Sequence, residues 1–127
     1  MDRDKKKRRI AVLTTSRADS GHLHWILHDL SRDARVELDL IAADRYEMLA
    51  PASVALALRI PIAHIEGGES SEGAIDDAVR NALTKMSHIH FTCTEAARQR
   101  VIAMGEEDWR VHFTEALPSI SCGVIGY

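Results

Sequence analysis

The sequence has 127 residues, enough for one domain with a core of its own. Hydrophobic residues make up 46% and charged residues 28%, the balance of a globular chain. The formal net charge of −3 gives no general attraction to nucleic acid or to an anionic membrane, and no apolar run approaches the roughly 20 residues of a membrane-spanning helix.

In chain order, residues 1–8 read as a basic arm carried by the cluster Lys5, Lys6, Lys7, Arg8 and Arg9. Residues 10–14 are an apolar run, a strand, that ends in a Thr-Thr-Ser loop. Ser20 offers a cap to a helix whose apolar face is Leu23, Ile26, Leu27 and Leu30. Residues 36–41 read as a second strand. Residues 46–58, rich in Ala and Leu, read as a buried helix that begins or kinks near Pro51. Residues 62–65 form a third strand, followed by a loop holding Gly67, Gly68 and Gly73. A helix over 75–86 places Ile75, Ala78, Val79, Ala82, Leu83 and Met86 on one face. A fourth strand spans 89–92, a helix 95–104 is stopped by Gly105, and a fifth strand spans 110–114. The tail from Ser121 shows no period, so residues 120–127 are expected to be irregular. Alternation of strand and helix with short connections predicts a single α/β domain. It would be an open parallel, Rossmann-like sheet of about five strands with helices on both faces.

In such sheets ligands bind outside the carboxyl ends of the strands. The segments there are Ser16-Arg17-Ala18-Asp19, Asp44-Arg45-Tyr46-Glu47, Glu66-Gly67-Gly68-Glu69 and Thr94-Glu95. Asp44, Glu66, Asp76 and Asp77 fall on or just beyond this rim. Carboxylates with separated pKa values can take a proton from one side of a carbon and act from another. A competing reading makes Asp76 and Asp77 acids at a helix N-terminus, with Asp76 paired to Arg80 at i,i+4. Arg17, beside a helix start, is a plausible diphosphate contact. Gly67 and Gly68 allow close backbone approach to a ligand, or simply a sharp turn.

Neither G-x-G-x-x-G nor a P-loop is present, which weighs against a nicotinamide or ATP site. Among the seven histidines only His24 and His28 stand at i,i+4, and H-E-x-x-H is lacking, so no metal is expected. The two cysteines, Cys93 and Cys122, have neither zinc nor framework spacing, and Cys93 reads as a small buried apolar residue. The cytoplasm is the expected location.

Residues 44–94 carry D-R-Y-E, then H-I-E-G-G-E, then I-D-D-A-V-R-N-A-L-T-K. This ordered set closely resembles the hydrolysing UDP-N-acetylglucosamine 2-epimerases of sialic acid and related nonulosonic acid pathways. The opening V-L-T-T-S-R-A-D-S-G and the closing R-V-H-F-T-E-A-L-P-S resemble the same family, so the likeness covers most of residues 8–119. It implies two Rossmann-like domains related to one class of glycosyltransferases. It implies elimination of UDP to a 2-acetamidoglucal, then hydration with inversion at C2 to N-acetylmannosamine, with no cofactor or metal. By position, Asp44, Glu66 and Asp76 would be catalytic and Arg17 would contact the diphosphate. Gly67, Gly68 and Arg80 are candidate substrate contacts, with a structural role for Arg80, Asp77 and Arg45 as the competing reading. The partners implied are a UDP-sugar substrate and further copies in a homo-oligomer, with neither nucleic acid nor membrane.

The sequence departs from the family pattern in several places. Ala43 replaces a glycine, Asn81 a histidine and Glu115 a glycine. Between Ile41 and Asp44 the family carries several dozen more residues, and the match stops after Ser119. The chain therefore resembles an internally shortened first domain without the second, with catalysis impaired or lost. A non-catalytic folded remnant and a nucleotide-sugar-binding module are the alternatives. The strand 36–41 can lie on either side of strand 10–14. On the side facing strand 62–65 it would bring Asp44 and Glu66 to one cleft, which is the expected arrangement.

Overall fold

The computed structural model describes residues 6–14, 20–42, 46–70, 73–114 and 122–126. One sheet runs through the molecule in the order β2-β1-β6-β3-β4-β5. Its strands are β1 (Arg8–Thr14), β2 (Val36–Ala42), β3 (Ile62–Ile65), β4 (Ile89–Thr92), β5 (Val111–Phe113) and β6 (Cys122–Gly126). The helices are α1 (Ser20–Arg32), α2 (Leu49–Ala57), α3 (Ala74–Met86) and α4 (Glu95–Ala103). The architecture is the expected α/β open sheet of Rossmann type.

The alternation of side chains along β1 divides the core in two. Ala11 and Leu13 face α2 and α3, packing with Met48, Ala52, Ala55 and Ile62 and against Leu83 and Met86. Val12 faces the other way, with Leu23 of α1 and Ile65, against Ile10, Ile26, Leu27 and Leu30. Helices therefore cover both faces. α4 lies along β4 and β5, with Ala97 and Val101 fully buried.

Two expectations are corrected. The segment read as an irregular tail contains β6, which pairs antiparallel with both β1 and β3 at the middle of the sheet. Gly123 sits opposite both Leu13 and His64. A five-residue strand with two glycines, hydrogen-bonded on both sides, needs no period-2 pattern, so nothing in its sequence announced it. The sheet accordingly has six strands and is mixed. Secondly, Arg8 and Arg9 belong to β1 rather than to a free arm: the Arg8 N–H donates to the Arg35 carbonyl at 2.7 Å, and Arg9 reaches Asp39 of β2 at 3.2 Å. At Pro51 the first of the two expected alternatives holds: the helix begins near it, at Leu49, and does not kink there. A 3-10 turn, Tyr46–Met48, leads into α2, and Pro51 falls in its first turn, where a missing N–H costs no hydrogen bond.

Candidate functional site

All five parallel strands deliver their carboxyl ends to one edge of the sheet. Register sets Ala42 beside Thr14, Thr14 beside Cys122 and Cys122 beside Ile65. Ile65 stands beside Phe91, and Thr92 beside Phe113. With strands about 4.8 Å apart, the ends of β1 and β3 are separated by about 10 Å and those of β2 and β3 by about 14 Å. Of the candidate residues, Arg17 and Asp44 lie outside the described residues, as does Arg45. The strand before Asp44 does lie against β1, but on its outer side. The inner place, needed for Asp44 and Glu66 to share a cleft in the expected way, is held by β6.

The segment after β3 is described in full as far as Ser70. Glu66 is 7% exposed and adopts the left-handed conformation, φ 70°. Its N–H donates to the Phe91 carbonyl at 2.8 Å. Its carboxylate lies 3.9 Å from the Cys93 thiol, which donates to Oε1. Burial, and then the Glu66 and Glu69 carboxylates, push the Cys93 thiol up to about 11, so it stays protonated.

Both glycines have packing reasons to be glycine. A Cβ on Gly67 would stand 3.1 Å from His64 Nδ1 and from Thr84 Oγ1. At Gly68, φ is 79° and a Cβ would fall 2.3 Å from the Ala97 carbonyl oxygen. Arg100 reaches over from α4 and donates to the Gly68 carbonyl at 2.8 Å. The Glu69 carboxylate accepts from Thr94 Oγ1 at 3.2 Å, while the same hydroxyl oxygen caps α4 by accepting from Ala97 N–H at 3.0 Å.

Arg80, on α3, is brought to this loop. Its guanidinium donates to the Glu69 carbonyl at 2.9 Å and to Asp77 Oδ1 at 3.0 Å, with the side chain only 14% exposed. Spacing had offered Asp76 as its partner, and the Asp77 bond is an i,i+3 pair. Asp76 lies half-buried in the first turn of α3, its Oδ2 close to Gly73. Glu66, Gly67 and Gly68 thus share one loop, with Asp76 and Arg80 on the helix that follows it and Arg80 bonded back to it.

The sequence reading passed over a buried polar layer beneath this loop. His64 and Thr84 meet at 3.2 Å, and Thr84 donates onward to the Arg80 carbonyl at 3.0 Å. Beside His64 in the register, the fully buried His90 donates to Glu106 at 3.2 Å, and Glu106 accepts from Lys85 at 2.5 Å. Burial would raise the Glu106 carboxyl, but hydrogen bonds from Lys85 and His90 outweigh it and leave it below its ordinary range. A histidine at an inward position of a short apolar strand was the available signal for both rings. Arg100 carried no signal short of the fold itself. Among the described residues no three His, Cys, Asp or Glu side chains gather as a metal-ligand set.

A family model described as UDP-N-acetylglucosamine 2-epimerase matches residues 16–116. The chain belongs to this epimerase family. The matched stretch takes in the Glu66 loop, both buried histidines, and the positions of Arg17, Asp44, Asp76 and Arg80. Over 91 residues the chain is 44% identical to a GDP/UDP-N,N'-diacetylbacillosamine 2-epimerase (hydrolyzing) of Campylobacter jejuni, covering 72% of this chain and 24% of that protein. It is 52% identical over 69 residues to the UDP-N,N'-diacetylbacillosamine 2-epimerase (hydrolyzing) of Legionella pneumophila, covering 54% and 18%. It is 43% identical over 93 residues to a UDP-N-acetylglucosamine 2-epimerase of Neisseria meningitidis, covering 72% and 24%. The matched region therefore spans about a quarter or less of these relatives. Among the described residues no helix is long and apolar enough to cross a membrane.

Proposed function

We propose that this chain carries the acid–base rim of a hydrolysing 2-epimerase acting on a UDP-linked 2-acetamido sugar. The observation that carries the reading is the family match running through a loop in which Glu66 is buried, left-handed and aimed at Cys93 on the carboxyl rim. In the proposed reaction one carboxylate removes the proton from C2 as the C1–O bond to UDP breaks, leaving a 2-acetamidoglucal. Water then adds its oxygen to C1, and a proton is returned to C2 from the opposite face, giving the inverted free sugar. Glu66, Asp76 and Asp44 share the acid and base roles, and Arg17 faces the diphosphate. Gly67 and Gly68 offer backbone to the substrate, and Arg80 holds the loop that presents them. The core chemistry calls for neither nicotinamide nor metal. We place the protein in the cytoplasm, with copies of itself as the expected assembly.

A second reading, a nucleotide-sugar-binding module without turnover, is favoured by one observation. Two strands separate the end of β2 from the end of β3, so the two acidic motifs leave the sheet about 14 Å apart. Productive constellations are held far more closely than that. On this ground the 127-residue chain by itself is expected to turn over little. Incubation with UDP-N-acetylglucosamine and with its diacetylbacillosamine counterpart, following UDP and the free sugar, tests both readings. Saturable binding without product supports the module, and release of both products supports the enzyme. Absence of binding to either sugar nucleotide would remove the proposal altogether.

A further inference from the structure

His64 stands two residues before Glu66, with 5% of its surface exposed. The Thr84 hydroxyl has one proton, and the Arg80 carbonyl at 3.0 Å can only accept it. The hydroxyl oxygen must therefore accept from His64, whose Nδ1 lies 3.2 Å away and so carries the hydrogen. Burial, then the charges of His90 and Arg80, push this ring down to about 3 and keep it neutral. Its tautomer is thus fixed by one chain of hydrogen bonds from Nδ1 to the backbone of α3.

This pair forms the floor beneath Gly67, where a Cβ would stand 3.1 Å from both ring nitrogen and hydroxyl and would press on them. The next residue back, Glu66, holds a left-handed backbone that residues with a Cβ adopt only when neighbours impose it. Two neighbours do so. The Phe91 carbonyl takes the Glu66 N–H, and the ring and hydroxyl lie directly against the Gly67 backbone.

We propose that His64 is a positioning residue for Glu66: with Thr84 it locks the Glu66–Gly67 turn so that the Glu66 carboxylate stays against Cys93 on the rim. The ring is sealed beneath the loop and never meets the substrate. The importance of this for turnover rests on the epimerase reading, but the positioning itself does not.

Cys93 reports on the carboxylate directly. Its thiol pKa is read from the pH profile of iodoacetamide alkylation in the full chain carrying Cys122→Ser. Glu66→Gln removes the charge beside the thiol and is expected to lower that pKa by about half a unit or more. His64→Leu should lower it similarly, because the carboxylate leaves. The double variant should fall no further than Glu66→Gln alone, the signature of one shared interaction. His64→Asn, whose amide can donate near the position of Nδ1, should keep the parent profile, and Thr84→Val should behave as His64→Leu. Additive effects, or a parent-like profile in Thr84→Val, would overturn the proposal, the latter even if His64→Leu does not fold. The same assay with UDP-N-acetylglucosamine separates the two claims. Protection of Cys93 in the parent, with about tenfold more ligand needed in His64→Leu, is expected from a misplaced contact. Lack of protection in the parent would count against the epimerase reading while the double-variant comparison still decides on His64.

Discussion

In the β3–β4–β5 segment, polar side chains tie loops to helices from within. Arg80 and Arg100 hold the backbone carbonyls of Glu69 and Gly68, Thr84 holds His64, and Glu106 joins His90 to Lys85. In the β1–β2 segment, the ion pairs of the described residues include surface ones, where Arg9 meets Glu37 and Asp39, and Arg35 meets Asp33. The described core residues that join this segment to its helix are apolar, with Leu23 fully buried and Ile26, Leu27 and Leu30 around it. Its outer strand leaves Leu40 and Ile41 largely exposed. The difference locates precision. The Glu66 carboxylate sits where directional bonds are dense, while the described core of the β1–β2 segment is built from apolar contacts that carry little orientation.

Substitutions can break this contrast. Leu23→Ala should have the largest effect, about 3 kcal/mol in urea denaturation, because the cavity it leaves is at the centre of the apolar contact between α1 and the sheet. A loss below about 1 kcal/mol would mean that α1 is held by something else. Gly68→Ala should cost about 2 kcal/mol or more, since a positive φ and a carbonyl 2.3 Å from the new carbon both oppose it. Hydrogen exchange should then rise in α4 before it rises in β1.

Acid sharpens the same contrast. His64 is pushed down from 6.5 to about 3 in the folded chain, so below pH 6.5 the unfolded chain binds the proton that the folded chain refuses. Its contribution is complete above pH 6.5 and is lost progressively as the pH falls toward 3, with a slope of at most about 1.4 kcal/mol per pH unit. The depressed Glu106 carboxyl adds a loss of the same sign at lower pH, below the ordinary carboxylate range. Unfolding free energies from urea titrations at pH 7.5 and 5.5 should therefore differ by about 1 kcal/mol or more, and His64→Asn should reduce the difference, leaving the part due to His90, which burial also pushes below its ordinary value. Arg100→Met, which removes the bond to the Gly68 carbonyl, should cost about 1 kcal/mol and show first in exchange of the loop amides. Arg9→Ala, at a surface pair, should change stability by less than about 0.5 kcal/mol and less still in high salt.

Much of the fold was legible because its elements obey local rules. The runs at β3 and β4 and the 3.6-residue period of α3 put those elements within a residue of where they lie. Glu66, Gly67 and Gly68 were legible as a loop beyond a strand, and Arg80 as a neighbour on the following helix. His64 and Thr84 were not, because a histidine in an apolar strand and a threonine in a helix acquire a role only when the two elements pack. The Asp77 bond of Arg80 was not legible for a related reason: acids at i,i+3 and i,i+4 are both within reach of an arginine, and only packing brings the Glu69 carbonyl to the same guanidinium.

By itself the sequence determined the succession of strands and helices as far as β5, the family, and the acidic motifs that follow the strands along the chain, since these follow from periodicity, turn residues and ordered motifs. Tertiary structure alone decided which strand stands beside β1 toward β3. Strand order depends on pairing between distant segments, and Cys122–Gly126, with no pattern of its own, fills that place from the far end of the chain. It also decided that the loop carrying Glu66 rests on a buried imidazole, because only packing brings a residue of β3 and a residue of α3 within hydrogen-bond reach.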